Sequence, residues 1–364
     1  MKRAASAALM PLDAARALLL GLAHPVAARS VPLAEALGCI AAGPVLAPGD
    51  RPAAPIALRD GYAVEAALLG GASSYAPVRL PGAPVWVEAG DALPVGTDAV
   101  LPPEGLEGRD AVAEVFVREG VREPGGDGRT GETLLAAGER IAPRHLLALA
   151  ACGLSAIAIR RPHVALIVTG APEPDALSPF LAALIVRQGG TSATVAVPDA
   201  PEAIADAILT ATADAVLVLG GTGFGRSDHS AAGLARAGQV LAHGLALRPG
   251  ETAGLGEAAG RPVLLLPGAP EATPAVFLTL GRPLLAALSG AAPPEGRPAV
   301  LSKKIASGIG LSEIVYLRRS TNGVVPLGGV DLPLRRLVEA DAAVLVPPER
   351  EGYPEGTEVE VWDW

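Results

Sequence analysis

Hydrophobic positions between residues 163 and 290 follow a repeating order of short apolar runs and helical periodicities. The apolar runs predict buried strands at 164–168, 193–197, 215–219 and 263–266. Apolar positions three and four residues apart predict helices at 176–188, 201–212, 228–237 and 271–288. Strands that alternate with helices in this way form a mostly parallel sheet. The pattern therefore predicts a three-layer α/β domain with helices on both faces of the sheet.

The segments on either side of this domain have other patterns. Helices are predicted at 11–22, 32–42 and 143–153 and a strand at 156–159, whereas 47–128 holds short β-like pieces at 85–88, 99–101 and 111–118. Short strands return after residue 298, and the last is predicted at 358–362. We therefore expect an α/β multidomain protein of four parts: a helical linker domain (1–46 plus 129–161), a β-rich inserted module (47–128), the α/β domain (162–292) and a C-terminal β domain (293–364).

The predicted strand 215–219 ends in a glycine-rich loop, Gly-Gly-Thr-Gly-Phe-Gly at 220–225, followed by Asp228. Glycines between a buried strand and a helix expose backbone N–H groups to an anion, so a phosphorylated ligand is expected here. A second strand-to-loop edge follows 263–266, at Pro267 and Gly268. Because parallel strands end at the same edge of a sheet, both loops are expected to border one pocket. Asp228 itself is either a ligand for metal or substrate or a helix N-cap.

Charge, cysteines and hydropathy narrow the class of protein. The net charge of −9, with no basic stripe, argues against a nucleic-acid role. Cys39 and Cys152 are expected to be free buried thiols, and the five histidines and two cysteines lack the spacing of a zinc site. Asp13 and Arg16 interrupt the apolar stretch near the N-terminus, and no apolar run is long enough to span a membrane. We expect a cytoplasmic protein.

A series of short motifs, taken in order, makes the chain resemble the molybdopterin molybdenumtransferases, the family that includes the C-terminal domain of gephyrin. Each motif alone is weak, and their order and spacing carry the resemblance. They are Asp-Gly-Tyr-Ala at 60–63, Gly-x-x-Leu-Pro-x-Gly-x-Asp-Ala-Val at 90–100, Arg-x-Gly-Glu at 129–132, Arg-Pro-His-Val-Ala at 161–165, Thr-Gly at 169–170, the glycine loop to Asp at 220–228, Arg-Pro-Gly at 248–250, Leu-Pro-Gly-x-Pro at 266–270, and the segments 305–308 and 339–342.

The resemblance implies a fold, a reaction and a set of site residues. It implies a homodimer in which the α/β domain binds molybdopterin, a second subunit contributes the β-rich module, and the C-terminal domain is β-barrel-like. The implied reaction inserts molybdate into adenylylated molybdopterin and releases AMP with the help of Mg²⁺. A molybdoenzyme or another cofactor-biosynthesis protein is a further expected partner, and no nucleic acid or membrane is expected. Asp60, Asp228 and Glu173 are the expected catalytic residues, with Asp228 on the metal, and the expected substrate-binding residues are Thr169, Gly170, Gly220, Gly221, Thr222, Gly223, Gly225, Arg248, Pro267 and Gly268.

Several charged positions of the family pattern are substituted in this chain. Where the family has two acids after its Thr-Gly motif, this chain has Ala171 and Pro172. It has Glu251 where the family has a lysine, and Ala269 where the family has an asparagine. Glu173 either replaces a missing acid or is a solvated loop residue. Asp60 either acts across a dimer interface or bonds the Gly61 turn, and Arg248 either binds phosphate or pairs with a surface acid.

These substitutions leave two functions open: a working transferase, and an impaired molybdopterin-binding carrier, chaperone or regulator. A nicotinamide-dependent oxidoreductase is a distant third hypothesis. Its Gly-x-Gly-x-x-Gly fingerprint is not met by glycines at 220, 223 and 225.

Overall fold

A six-stranded sheet forms the centre of the computed structural model, which describes residues 9–170, 175–225, 228–293 and 295–364. Its strands, in chain order, are β1 (His163–Thr169), β2 (Thr191–Val197), β3 (Ala215–Leu219), β4 (Gln239–His243), β5 (Gly254–Ala258) and β6 (Arg261–Leu266). In space the order is β2-β1-β3-β6-β5-β4. The first four strands of that order are parallel and are the four predicted ones, whereas β5 and β4 extend the sheet in antiparallel pairing.

Helices cover both faces of this sheet because its strands bury side chains alternately on each side. These helices are α1 (Leu177–Arg187), α2 (Pro201–Thr210), α3 (Ser230–Ala237), α4 (Ala272–Val276) and α5 (Arg282–Ser289), the last two joined by a π-helical turn at Phe277–Gly281. Leu166 packs in one core with Leu181 of α1, while its neighbour Ile167 packs in another with Ile204 of α2. The three layers follow from this period of two.

The combined helix Ala272–Ser289 is long and apolar enough to cross a membrane by composition alone. Most of it is buried inside the protein, where Phe277 and Leu284 belong to the core beside the sheet. It is therefore a core helix.

The hydrophobic pattern predicted the bounds of some N-terminal helices better than those of others. Helices run over Leu12–Gly21 and Pro143–Ala151, close to the predicted bounds. The helix predicted at 32–42 is only Leu33–Ala36. It ends there because Leu37 is extended and Gly38 has a φ of +77°, a conformation that leaves the helical path.

A small three-stranded sheet completes this linker region. Ala156–Arg160 lies at its centre and pairs with Arg29–Pro32 on one side and Ile40–Ala41 on the other. Cys39 and Cys152 are buried free thiols, as the sequence predicted.

Between residues 47 and 128 the chain forms small antiparallel sheets. Gly61–Val64 lies between Val85–Val87 and Ala99–Leu101, and Asp110–Ala113 lies between Ser73–Arg79 and Leu106–Glu107. The strand predicted at 111–118 stops at Ala113. Very short strands complete the pairing in and beside this segment, Ile56–Ala57 with Val121–Arg122 and Val45–Leu46 with Thr133–Leu135.

A seven-stranded mixed sheet carries the C-terminal segment. Its strands from this segment are Arg297–Val300, Ser312–Ser320, Gly323–Gly328, Ala342–Val346 and Glu358–Asp363, and a short helix lies at Leu334–Leu337. Two strands from elsewhere in the chain join it in parallel pairing. Leu245–Arg248 pairs with Ser312–Ser320, and Met10–Pro11 pairs with Leu245–Arg248. This pairing places the C-terminal segment beside the α/β domain.

Candidate functional site

A cavity of about 670 Å³ lies at the carboxyl ends of β1, β3 and β6, and we call it the strand-end cavity. The loop after each of these parallel strands contributes to its wall, as expected for a sheet of this topology. Predicted site residues that line it are Thr169, Gly170, Gly220, Gly221, Thr222, Gly223, Asp228, Pro267 and Gly268. The structure thus brings together residues from three separate motifs.

Another part of the wall of the strand-end cavity is apolar. Phe180 of α1 lines it, together with Leu334, Leu337 and Val338 around the short C-terminal helix and with Trp364. The ring centroids of Phe180 and Trp364 are 5.9 Å apart, a normal aromatic contact. One wall is therefore polar backbone and the other can pack against a planar ring.

Gly220 is required where the loop after β3 crosses the end of β1. Its φ is +94°, and a Cβ at this position would lie 2.3 Å from the carbonyl oxygen of Thr169. No other residue fits so close to a neighbouring backbone. The close approach joins the first and second loops into one floor.

Asp228 stabilises the glycine loop from within. Its Oδ2 accepts a hydrogen bond from the N–H of Gly225 at 2.8 Å. A Cβ on Gly223 would lie 2.6 Å from the same oxygen, so the loop is closed tightly around this carboxylate. The helix-cap interpretation is wrong, because α3 begins at Ser230 with His229 as N-cap and no side-chain cap bond. Asp228 is a loop carboxylate that faces the cavity.

Side chains beneath the loops hold them in place. The Thr169 hydroxyl donates to Oδ1 of Asp199 at 3.1 Å, and the hydroxyls of Thr222 and Thr252 are 3.1 Å apart. Nε2 of His243, at the end of β4, donates to the carbonyl oxygen of Thr222 at 2.8 Å. Sequence reasoning missed Asp199 and His243. Asp199 had a signal, since it follows a predicted strand whose carboxyl end meets the same edge of the sheet.

Asp175 is a further cavity residue that sequence reasoning missed. It precedes α1 and accepts the N–H groups of Leu177 and Ser178, each at 3.1 Å, as well as the Ser178 hydroxyl. Burial raises the pKa of Asp175, but these hydrogen bonds outweigh it and hold the pKa below its ordinary value. An acid directly before a predicted helix is the signal that would have found it.

Two residues of the predicted phosphate site do not line the strand-end cavity. Arg248 is tied to Glu251, the distance from Nε to Oε1 being 3.0 Å, and neither borders the cavity. Gly225 is linked to the cavity through the carboxylate of Asp228, which accepts its N–H. Within the glycine loop, the residues that line the cavity are therefore Gly220, Gly221, Thr222 and Gly223.

Asp60, another of the predicted catalytic residues, does not line this cavity either. Asp60 is exposed and accepts the N–H of Ala89 at 2.8 Å, in the small sheets of residues 47–128. Glu173 lies outside the described residues. Of the three expected catalytic acids, Asp228 is thus the one that the described structure places at the cavity.

Comparison with known proteins identifies the family. The profile of the MoeA N-terminal region (domains I and II) matches residues 10–153, that of a probable molybdopterin-binding domain matches 166–287, and that of the MoeA C-terminal region (domain IV) matches 333–364. The chain belongs to the molybdopterin molybdenumtransferase (MoeA) family. The resemblance drawn from the ordered motifs is thereby confirmed, and with it a role in molybdenum cofactor biosynthesis.

Named relatives cover nearly the whole chain. Molybdopterin molybdenumtransferase 2 of Mycobacterium tuberculosis is 29% identical, over 92% of this chain and 94% of its own length. The molybdopterin molybdenumtransferase of Synechococcus elongatus is 30% identical over 62% of this chain and 66% of its own. The crystal structure of a molybdopterin biosynthesis MoeA protein from Pyrococcus horikoshii superposes with a TM-score of 0.80 at 25% identity, covering 98% of this chain and 100% of that one.

In this MoeA-family chain, the strand-end cavity is built from two of the matched regions. The molybdopterin-binding domain match includes the three loops of the floor, and the C-terminal region match includes Leu334, Leu337, Val338 and Trp364 of the apolar wall. The cavity therefore lies where these two regions of the family meet.

Proposed function

We propose that this chain binds adenylylated molybdopterin in the strand-end cavity and inserts molybdate into it. The observation that carries the proposal is the cavity floor, in which three strand-end loops and the Asp228 carboxylate converge. Glycine backbone suits a phosphate, because N–H groups can approach it without a side chain in between. The apolar wall of Phe180, Leu337 and Trp364 suits the flat pterin ring.

The charges along the cavity wall indicate that backbone N–H groups, and not side chains, would bind the phosphate. Among the described residues that line it, the charged side chains are Asp175 and Asp228, both acidic. Attraction for a phosphate here comes from N–H groups at the end of β3 and before α3 rather than from a described cation. The two carboxylates suit a divalent cation that accompanies the substrate.

Mg²⁺ fits this donor set only in combination with substrate. Among the described residues no three acidic, histidine or cysteine side chains cluster closely enough to hold a metal ion. Mg²⁺ commonly uses one or two protein carboxylates together with substrate phosphates. Asp228 would be its protein ligand here, and the ion would neutralise charge that develops on the released phosphate.

We further propose that Asp60 acts in a homodimer. Asp60 lies outside the strand-end cavity of its own chain, on an exposed turn held by Ala89. A second subunit that presents its residues 47–128 to this cavity would bring Asp60 to the substrate. Residues 47–128 expose large apolar side chains, among them Val95 and Phe116, which are 106% and 72% exposed. Such side chains support burial against another chain.

A second candidate function has one observation in its favour. Glu251 occupies a family lysine position and pairs with Arg248, so a cation expected for substrate is neutralised. A chain that keeps the cavity but lacks a free cationic side chain for the substrate at this position is suited to carry or store molybdopterin without converting it.

The deciding experiment measures AMP release and retained pterin in the same samples. Purified protein is mixed with adenylylated molybdopterin, Mg²⁺ and molybdate, and then with molybdate omitted. Release of AMP that depends on molybdate supports the transferase, and pterin retained without AMP release supports the carrier. Asp228→Asn should abolish release while an exposed control on α2, Asp206→Asn, should not. Absence of both pterin binding and AMP release would overturn both functions.

A further inference from the structure

A second cavity, of about 450 Å³, lies away from the loops of the molybdopterin-binding domain. Three arginines line it: Arg140 shortly before the helix Pro143–Ala151, Arg187 at the end of α1, and Arg282 at the start of α5. We call it the arginine cavity. Segments distant in the sequence thus place three guanidinium groups around one space.

Two of these arginines have few close partners. Nη2 of Arg187 is 3.4 Å from the main-chain oxygen of Trp364, and Nη1 of Arg282 is 3.4 Å from that of Asp363, both at the long limit of a hydrogen bond. Nε of Arg282 is shielded from solvent and has no hydrogen-bond partner within the described part of the chain. A buried donor without a protein partner is costly, so it favours any ligand that can accept from it.

Arg140 is held more firmly. Its Nη1 donates to the carbonyl oxygens of Gly38 at 2.8 Å and of Arg187 at 2.9 Å. It therefore fixes the end of α1 and positions Arg187 at the cavity. In this cluster Arg140 is fixed by hydrogen bonds, whereas Arg187 and Arg282 keep N–H donors that can bind a ligand.

The electrostatics of the cluster favour an anion. Burial lowers the pKa of Arg282, and the like charges of Arg187 and Arg140 lower it further, while Asp363 opposes them. Asp363 is also engaged elsewhere, since Nη2 of Arg319 lies 2.6 Å from its Oδ1. In a chain of net charge −9, three crowded arginines are a local exception.

The other acid on the cavity wall does not neutralise the cluster. This acid is Glu139, whose Oε1 lies 3.4 Å from Nε2 of His145. The arginines of the cavity therefore outnumber the acids that face them, and both acids already have another partner.

We propose that the arginine cavity binds a small oxyanion of the phosphate class, held by Arg187 and Arg282. Guanidinium groups match such oxyanions because their paired N–H donors reach two oxygens at once. The wall also includes Leu184, Phe277 and Trp364. Its volume and apolar surface leave room for an organic group attached to the phosphate.

This site is separate from the strand-end cavity. Leu177, at the start of α1, lines the strand-end cavity, whereas Arg187, at its end, lines the arginine cavity. This length of helix corresponds to about 15 Å. The two cavities therefore lie toward opposite ends of one helix.

The test is a binding titration at constant ionic strength with two probes, inorganic phosphate and a nucleoside monophosphate. We expect the wild type to bind at least one probe, and Arg187→Gln and Arg282→Gln each to weaken that binding about tenfold or more. Arg144→Gln, on an exposed helix position, is the matched control and should leave it unchanged. Tighter binding of the nucleotide than of phosphate would identify an organic phosphate as the ligand class, and the reverse order would identify the free oxyanion.

Two results would overturn the proposal. One is the failure of both probes to bind the wild type. The other is binding that persists in Arg187→Gln and is lost in Gly223→Val, because that ligand would belong to the glycine loop. Arg187 is exposed, so its variant should fold even if Arg282→Gln does not. Neither readout depends on molybdate transfer.

Discussion

The carboxylate of Glu251 accepts a hydrogen bond from Nε of Arg248, and the N–H of Gly250 donates to its other oxygen at 3.1 Å. The arginine that resembled a phosphate ligand is therefore paired with an acid three residues later, the second of the two roles open to it from sequence. The side chains are 43% and 35% exposed, so this ion pair contributes little to folding.

Glu251→Gln should strengthen molybdopterin binding. The substitution releases Arg248 and removes a negative charge beside Thr252, a cavity residue whose hydroxyl is 3.1 Å from that of Thr222. We expect molybdopterin affinity to rise about three- to tenfold at low salt, and the gain to shrink as salt screens the charges. The free energy of unfolding should fall by about 1 kcal/mol or less, as for other exposed ion pairs.

The measurement for this variant is a titration of pterin binding at two salt concentrations. The matched control is Glu355→Gln, at an exposed position of the C-terminal segment that lines neither cavity. An affinity that does not change in Glu251→Gln would mean that this ion pair lies too far from the ligand to matter.

Gly223→Ala should distort the glycine loop through Asp228. The added Cβ would lie 2.6 Å from Oδ2 of Asp228, so the carboxylate must move and its bond to Gly225 must weaken. We expect pterin binding to fall about tenfold or more while the protein stays folded. The loss of stability should be smaller in an Asp228→Ala background, because the clash is then absent. Thermal unfolding of the single and double variants measures this coupling, and Gly82→Ala, where a Cβ meets nothing within 4 Å, is the control.

His243→Ala should loosen the same loop from below. The substitution removes the N–H donor to the Thr222 carbonyl and the ring that packs 5.0 Å from Phe224. Loss of one such hydrogen bond costs about 1 kcal/mol. Because His243 does not line the cavity, we expect weaker pterin binding but little change in the rate at which bound substrate reacts. A turnover rate at saturating substrate that falls by about tenfold or more would contradict a purely positioning role.

Asp175→Asn should make the melting temperature of the protein depend less on pH in the acid range. A carboxyl whose pKa is lower in the folded than in the unfolded state stabilises the fold above the unfolded pKa, about 3.8 for this aspartate. That stabilisation is lost as the pH falls through the folded pKa. The wild type should therefore unfold at a higher temperature than the variant at neutral pH, with the difference narrowing below about pH 4. Melting curves from neutral to acid pH test this, with Asp206→Asn as control, and a constant difference would show that charge is not the cause.

The sequence predicted β1, β3 and β6 well because each is a run of mostly buried apolar residues, and it also located most of β2, although no residue of that strand is buried. It missed β5, whose Gly-Leu-Gly-Glu-Ala sequence has neither an apolar run nor clear alternation. In the candidate site, glycine loops could be recognised locally, whereas His243 reaches Thr222 from 21 positions away. The arginine cavity had no sequence signal at all, because Arg140, Arg187 and Arg282 meet only after folding. Local patterns predict elements, and tertiary packing decides which side chains meet.

Trp364 forms part of the wall of both cavities. Its indole also contacts Tyr316 and Phe180, with ring centroids 5.1 Å and 5.9 Å away, so it is held between the C-terminal sheet and α1. A ligand that shifts this ring from one side reshapes the surface offered on the other. Thermodynamic linkage then requires reciprocity: whatever free energy an oxyanion adds to or removes from pterin binding, the pterin adds to or removes from oxyanion binding in equal measure.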